Sequence, residues 1–211
     1  MDDTVVFYSS PMSRGRVVHW LLEEAGAPYR YELVNLEARE QKQPAYLTVN
    51  PMGKVPAIVH RDTVITECGA ICCYLADAFP AARLAPQLDS PLRGNYYRWM
   101  FFGAGCLEPA VIDRMLSRPA VSRPSALSYG SYDDAVATLE GALQPGPFLL
   151  GREFSAADVY VGSQIGFGLM TKALEARPAF QEYLVRLQQR PAYKRFMEKN
   201  DQILARMSKA S

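Results

Sequence analysis

Three hydroxyls fall close together near the start of the chain, at Ser9, Ser10 and Ser13. They follow a β-branched and aromatic run, and Ser13 stands directly before a stretch of helical periodicity. A hydroxyl donor beside a helix N-terminus lowers the energy of an anion such as a thiolate. A serine in that place also serves simply as the cap of its helix. Arg14 and Arg16 follow at once, either to steer an anion or as solvated surface groups. A second concentration is Glu67-Cys68, a carboxylate and a thiol at the head of another helical run, where the plain alternatives are a helix cap and a small half-buried side chain. Between them runs Asn50-Pro51-Met52-Gly53-Lys54-Val55-Pro56, turn chemistry ahead of a strand. The four cysteines, Cys68, Cys72, Cys73 and Cys106, have no CxxC spacing, and with only His19 and His60 beside them no metal site is expected. The spacing implies no disulfide framework either, so reduced thiols in a cytosol are expected.

The elements that must position these residues are legible from periodicity. Thr4 to Tyr8 reads as a buried strand stopped by Ser9-Ser10-Pro11. From Ser13, Val17, Val18, Leu21, Leu22 and Ala25 recur at helical spacing until Gly26 and Pro28. Tyr29 to Leu33 alternates as a second strand, close enough to pair in parallel with the first through a right-handed crossover. Glu37 to Val49 is polar and irregular. Ala57 to His60 and Thr63 to Thr66, separated by Arg61-Asp62, suit a tight hairpin, and Glu67 to Phe79 reads as a helix ended by Pro80. The order β-α-β, irregular helix, β-β-α makes a compact α/β domain over residues 1–80.

Beyond a loop from Pro80 to Pro91 the strand signals stop, and residues 88–211 read as an all-helical domain. Asn95 to Cys106 is aromatic, with Tyr96, Tyr97, Trp99, Phe101 and Phe102. Tyr132 to Leu143 and Phe180 to Gln189 are amphipathic, Pro145-Gly146-Pro147 signals a turn, and Ser155-Ala156-Ala157-Asp158 fits a capping box. The formal charge is +1, from 23 Lys and Arg against 22 Asp and Glu, so no field of one sign recruits nucleic acid or an anionic membrane. Met1-Asp2-Asp3-Thr4 lacks the basic start and apolar stretch of a secretion signal. The run Ala70 to Phe79 is far short of the roughly 20 residues needed to span a bilayer. A small-molecule ligand and a cytoplasmic location are the expectations.

Phe7 to Gly26 (FYSSPMSRGRVVHWLLEEAG), Asn50 to Ile58 (NPMGKVPAI), Thr66 to Ile71 (TECGAI), Phe148 to Gly162 (FLLGREFSAADVYVG) and Arg190 to Phe196 (RPAYKRF), in that order and spacing, resemble the cytosolic glutathione S-transferases over nearly the full chain. The resemblance is to bacterial-type members with Ser rather than Cys near the first helix. It implies a thioredoxin-like N-terminal domain, an all-helical C-terminal domain, and glutathione as co-substrate for attack on a small hydrophobic electrophile. It implies a cis bond before Pro56, with the main chain of Val55 pairing with the cysteinyl part of glutathione. Glu67 would hold the γ-glutamyl ammonium, while Cys68 departs from the usual Ser or Thr and offers a weaker side-chain donor beside its backbone N–H.

Lys54 would reach the glycine carboxylate, with Gln41 and Lys42 as weaker candidates. Among the hydroxyls the resemblance favours Ser13 as the partner of the glutathione sulfur, then Ser10, then Tyr8. The second substrate would lie between the domains against Met12, Tyr97 and Phe101, residues whose plainer reading is core packing. The resemblance also implies a homodimer paired through the third and fourth helices. Two other functions remain open at this level. One is a non-catalytic adaptor of the stringent-starvation-protein type. The other is glutathione-dependent reduction of peroxides or mixed disulfides, which calls for a cysteine near Ser13 and finds none there in the sequence.

Overall fold

The computed structural model describes residues 3–144 and 146–210. The expected leader-free start at Met1-Asp2 and the first residue of the Pro145-Gly146-Pro147 turn lie outside the described residues. In chain order the elements are β1 (Val5–Ser9), α1 (Gly15–Ala25), β2 (Tyr29–Leu33), the short α2 (Pro44–Leu47), β3 (Ala57–His60), β4 (Thr63–Thr66) and α3 (Cys68–Ala78). Helices α4 (Leu92–Phe102), α5 (Glu108–Met115), α6 (Tyr132–Ala142), α7 (Ala156–Met170), α8 (Pro178–Gln188) and α9 (Pro191–Ala210) follow. They form two compact units, one of Met1–Leu84 with Arg190–Ser211, the other of Ala85–Gln189.

The first unit is built on a four-stranded sheet in the order β2-β1-β3-β4. β1 runs parallel to β2, as the crossover through α1 requires, and antiparallel to β3, which pairs antiparallel with β4. The register sets Tyr8 opposite Ala57 and Ala57 opposite Thr66. The end of β1, the start of β3 and the end of β4 therefore meet at one edge of the sheet, and the loops that leave there carry Ser13, Val55 and Glu67. Val17, Val18, Leu21 and Leu22 of α1 are buried together with Val5 and Phe7 of β1 and Ile71 and Leu75 of α3. Gly26 ends α1 in the left-handed conformation (φ 59°), where its N–H reaches the carbonyl of Leu22.

The expected second domain ran to residue 211, yet α9 groups with the first unit. Ion pairs and ring packing against α1 account for this. Glu23 of α1, only 6% exposed, accepts hydrogen bonds from Tyr29 Oη (2.7 Å), Lys199 Nζ (2.5 Å) and Arg195 Nε (3.2 Å). Glu24 takes two bonds from Arg190, at 2.7 and 2.8 Å. Lys199 and Arg195 are about half-exposed, so solvent screens their pairs with Glu23, and α9 also buries Ala192 and Phe196, with Phe196 and Tyr193 against His19 and Trp20 of α1.

In the second unit α7 is buried on nearly every side. Its start is fixed by the expected capping box, with Asp158 accepting from the Ser155 N–H at 2.8 Å. The aromatic stretch from Asn95 is not one α-helix. α4 stops at Phe102, and residues Gly103–Leu107 form a wider π turn before α5. Gly103 lies so close to α7 that an added Cβ would stand 2.9 Å from the Tyr160 ring.

Candidate functional site

The opening of α1 is saturated with internal hydrogen bonds. Ser13 Oγ accepts from the Gly15 N–H at 3.0 Å and donates to the Ser10 carbonyl at 2.7 Å. The Ser13 carbonyl takes the Arg16 N–H, and the Arg14 carbonyl takes that of Val17. Gly15 is required here, because a Cβ would sit 1.8 Å from Ser9 Oγ. Ser13 is half-buried, whereas Ser10 is 4% exposed and Ser9 1%. Arg16 turns toward α9, with its guanidinium 3.1 Å from Met197 Sδ and 5.2 Å from the centre of the Phe196 ring. Its steering role is thereby replaced by a packing one.

The loop before β3 is held from behind. Tyr46 Oη and Asn50 Nδ2 both donate to the Lys54 carbonyl, at 2.6 and 2.9 Å, and Asn50 Oδ1 receives the Met52 N–H at 3.0 Å. Burial pushes the Tyr46 hydroxyl up to about 12, with Tyr8 adding to the shift, so it stays a donor. Lys42 is occupied with the Met52 carbonyl at 2.9 Å. The Val55–Pro56 bond is cis, Pro56 is buried, and Val55 is half-buried. Among the described residues no hydrogen bond reaches the main chain of Val55. The Lys54 side chain is exposed. Asn50 and Tyr46 were not singled out from the sequence; the Asn-Pro turn signal pointed at the first, and nothing local points at the second.

The opening of α3 is unlike that of α1. Glu67 sits at φ 64° and ψ 120°, a conformation that costs a non-glycine residue about 1–3 kcal/mol. Its exposed carboxylate makes no capping hydrogen bond, which removes the plain cap reading, and helix geometry leaves the first-turn N–H groups without intrahelical partners. The Cys68 thiol donates to the Arg14 carbonyl at 3.6 Å and so ties the two helix openings together. Cys72, one turn on, is fully buried, and burial raises its thiol well above the usual range, with Cys68 and Cys73 adding to the shift.

His19 is packed, at 1% exposure, between Tyr29, Tyr31 and Phe196. Met12 is 74% exposed on the first unit. On α4 of the second unit Tyr97 and Phe101 are 37% and 74% exposed, while Tyr96 and Trp99 are buried. The stripe thus divides into a core face and an open face. Among the described residues no group of three or more His, Cys, Asp or Glu is placed to hold a metal, and no helix is long and apolar enough to cross a membrane.

Residues 4–77 match the family model of the glutathione S-transferase N-terminal domain. A zeta-class glutathione S-transferase of Euphorbia esula is 30% identical over 165 residues, covering 75% of this chain and 72% of that protein. The chain belongs to the glutathione S-transferase family. At family level it is therefore a glutathione transferase enzyme, with the thioredoxin-like four-stranded sheet and the all-helical C-terminal region of that fold. A disulfide-bond oxidoreductase of Escherichia coli, YfcG, is 27% identical over 199 residues, covering 88% of this chain and 90% of that protein. A glutathione transferase homologue from Sulfitobacter, solved with bound glutathione, superposes with a TM-score of 0.75 at 25% identity, covering 94% of this chain and 99% of that one.

Proposed function

We propose that this family member binds glutathione at the sheet edge of its first unit, converts the thiol to thiolate and directs it at a small hydrophobic electrophile. Glu67 carries the reading: a strained, exposed carboxylate that caps nothing, at the head of helix α3 with its positive dipole end. The γ-glutamyl end of glutathione bears an ammonium and a carboxylate side by side, which match those two groups. The unpaired main chain of Val55, beside Pro56, suits the cysteinyl peptide as a short β-pair. Lys54 takes the glycine carboxylate, and the N–H of Cys68 contributes at the α3 opening. On the first unit Met12, 74% exposed, supplies apolar surface for the electrophile.

Ser13 is assigned to the sulfur, with Ser10 in second place because it is buried. At rest the Ser13 proton lies on the Ser10 carbonyl. Stabilising the thiolate requires that proton to turn toward sulfur. Lowering a thiol by two pKa units takes roughly 2.7 kcal/mol, within reach of one hydrogen bond to a charged group at about 1.5–3 kcal/mol. The sulfur lone pair then forms the new C–S bond, and the leaving group departs with the displaced electron pair. The test is the pH dependence of conjugation to an activated aryl halide for wild type, Ser13→Ala and Ser10→Ala. The Ser13 variant should shift the rate profile to higher pH and Ser10→Ala should not; profiles that coincide for all three would remove Ser13 from this role.

A second reading gains support from Cys68. The sequence has no cysteine beside Ser13, but the fold brings the Cys68 thiol to the carbonyl of the neighbouring Arg14, and similarity to a disulfide-bond oxidoreductase points the same way. In that chemistry the Cys68 thiolate attacks the glutathionyl sulfur of a mixed disulfide between glutathione and a substrate thiol, becomes glutathionylated and releases the substrate thiolate. A glutathione thiolate then attacks the Cys68 mixed disulfide, leaves as glutathione disulfide and restores the Cys68 thiolate. Donation to a carbonyl favours the protonated thiol, so conjugation remains the leading reading. Exchange activity that survives Cys68→Ser would discard the second. Cytoplasmic location and a homodimer paired through α3 and α4 complete the proposal. Light scattering should give about twice the 23.5 kDa chain mass, and a monomer would remove the pairing.

A further inference from the structure

The Ser10 carbonyl collects three donors at the opening of α1. Ser13 Oγ reaches it at 2.7 Å, the Ser13 N–H at 3.2 Å and Ser9 Oγ at 3.4 Å. Two of the three belong to Ser13, and the third is long for a hydroxyl bond. At rest the carbonyl is held by Ser13, with the Ser9 hydroxyl standing by.

Ser9 is fixed where it stands. It pairs with Leu33 across β1 and β2, and its carbonyl accepts the Val34 N–H at 2.8 Å. Its side chain is closed in by α1, where the missing side chain of Gly15 leaves just enough room: an added Cβ would lie 1.8 Å from Ser9 Oγ. Ser9 is 1% exposed and Ser10 4%, so solvent has little access to either. The titratable neighbour is Tyr31 of β2. Burial raises its hydroxyl, and the Ser9 hydroxyl draws it back part of the way, so Tyr31 keeps its proton and no anion competes for that of Ser9.

Turning the Ser13 proton to the glutathione sulfur takes the shortest of the three bonds away from the Ser10 carbonyl. A buried acceptor that loses a donor resists the change. A second hydroxyl on the same acceptor lowers that resistance.

We propose that Ser9 is a positioning residue for the thiolate: as the Ser13 hydroxyl turns to sulfur, the Ser9 hydroxyl closes on the Ser10 carbonyl in its place. Both protons stay on their own oxygens, and two hydroxyl rotors exchange one acceptor. Ser9 matters in this way only if Ser13 serves the sulfur, and it does so without touching glutathione itself.

The test is an ultraviolet titration of the thiolate in the glutathione complexes of wild type, Ser9→Ala, Ser13→Ala and the double variant, with glutathione affinity measured by calorimetry on the acid side of the transition. Ser9→Ala should raise the midpoint by about half a pH unit to one unit. Its affinity on the acid side should stay within about twofold of wild type, because the Ser13 proton then rests on Ser10. In the Ser13→Ala background the same change should add nothing, since the rotor it supports is gone. An unmoved midpoint in Ser9→Ala, an equal shift with and without Ser13, or a loss of affinity already on the acid side would overturn the inference. A midpoint unmoved by Ser13→Ala would strike the proposed role of Ser13 and that of Ser9 with it, whereas one moved by Ser13→Ala but not by Ser9→Ala strikes the role of Ser9 alone.

Discussion

The two helix openings of the first unit meet at one sheet edge and are built in opposite ways. At α1 every first-turn N–H from Gly15 to Val17 already has a partner, and the Ser13 hydroxyl both accepts and donates within the turn. At α3 the leading residue is strained and its exposed carboxylate caps nothing. The α1 opening is finished by the chain. In the proposed function anchoring belongs to α3, and α1 contributes a single hydroxyl that must turn before it acts.

The largest effect should come from disturbing the finished side. Gly15→Ala forces a methyl group to within 1.8 Å of Ser9 Oγ and 2.9 Å of Ser9 Cβ. It should cost about 3 kcal/mol, the upper range for overpacking, read from urea unfolding, and should weaken glutathione binding with it. Full stability in that variant would mean that the α1 opening is looser than described.

The next effect is a pH dependence on the rear face of α1. Burial pushes His19 down to about 4 against a usual 6.5, with Glu23 opposing the shift and Lys199 and Arg16 adding to it. The folded state thus holds His19 neutral while the unfolded chain takes up a proton. Stability is fully present above about pH 6.5 and is lost as pH falls toward 4, by roughly 3 kcal/mol. Glu23 adds to the loss at still lower pH. Burial raises it, but its bonds to Lys199, Tyr29 and Arg195 outweigh that and hold it below the usual value. In His19→Phe the slope of unfolding free energy between pH 4 and 6.5 should flatten; an unchanged slope would assign the titration elsewhere.

Smaller again is Ser13→Ala, which removes the acceptor of the Gly15 N–H. About 1 kcal/mol of stability should go, as for a lost cap, with a rate loss of roughly tenfold to a hundredfold. A variant that loses stability but no rate would make Ser13 a cap only. Cys68→Ser should change least, within about 0.5 kcal/mol, because a hydroxyl can keep the bond to the Arg14 carbonyl. A marked loss of glutathione affinity would show that the sulfur itself matters.

The contrast between the openings also marks what could be read from the sequence. The strands, the hairpin and the course of α1 follow from local periodicity, and Gly26 announces the end of α1 because few other residues take φ 59°. The capping box at Ser155 and Asp158 is local too. Contacts between distant residues were not legible. Cys68 and Arg14 are 54 positions apart and Glu24 and Arg190 are 166 apart, so neither the joined helix openings nor the place of α9 shows in any window of sequence. Nor does any window of sequence show that Gly103, at the break after Phe102, lies against the Tyr160 ring of α7. Of the candidate site, Val55, Glu67 and Ser13 were named from motifs, while the backing of Lys54 by Tyr46 and Asn50 appeared only in the fold.

The most direct measurement is calorimetric titration of glutathione into wild type, Glu67→Gln and Glu67→Gly, with unfolding free energies alongside. Wild type should bind, and both variants should lose at least about tenfold in affinity. Glu67→Gly should at the same time gain about 1 kcal/mol of stability, because glycine meets no strain at φ 64°. Equal affinity in all three proteins would contradict the account.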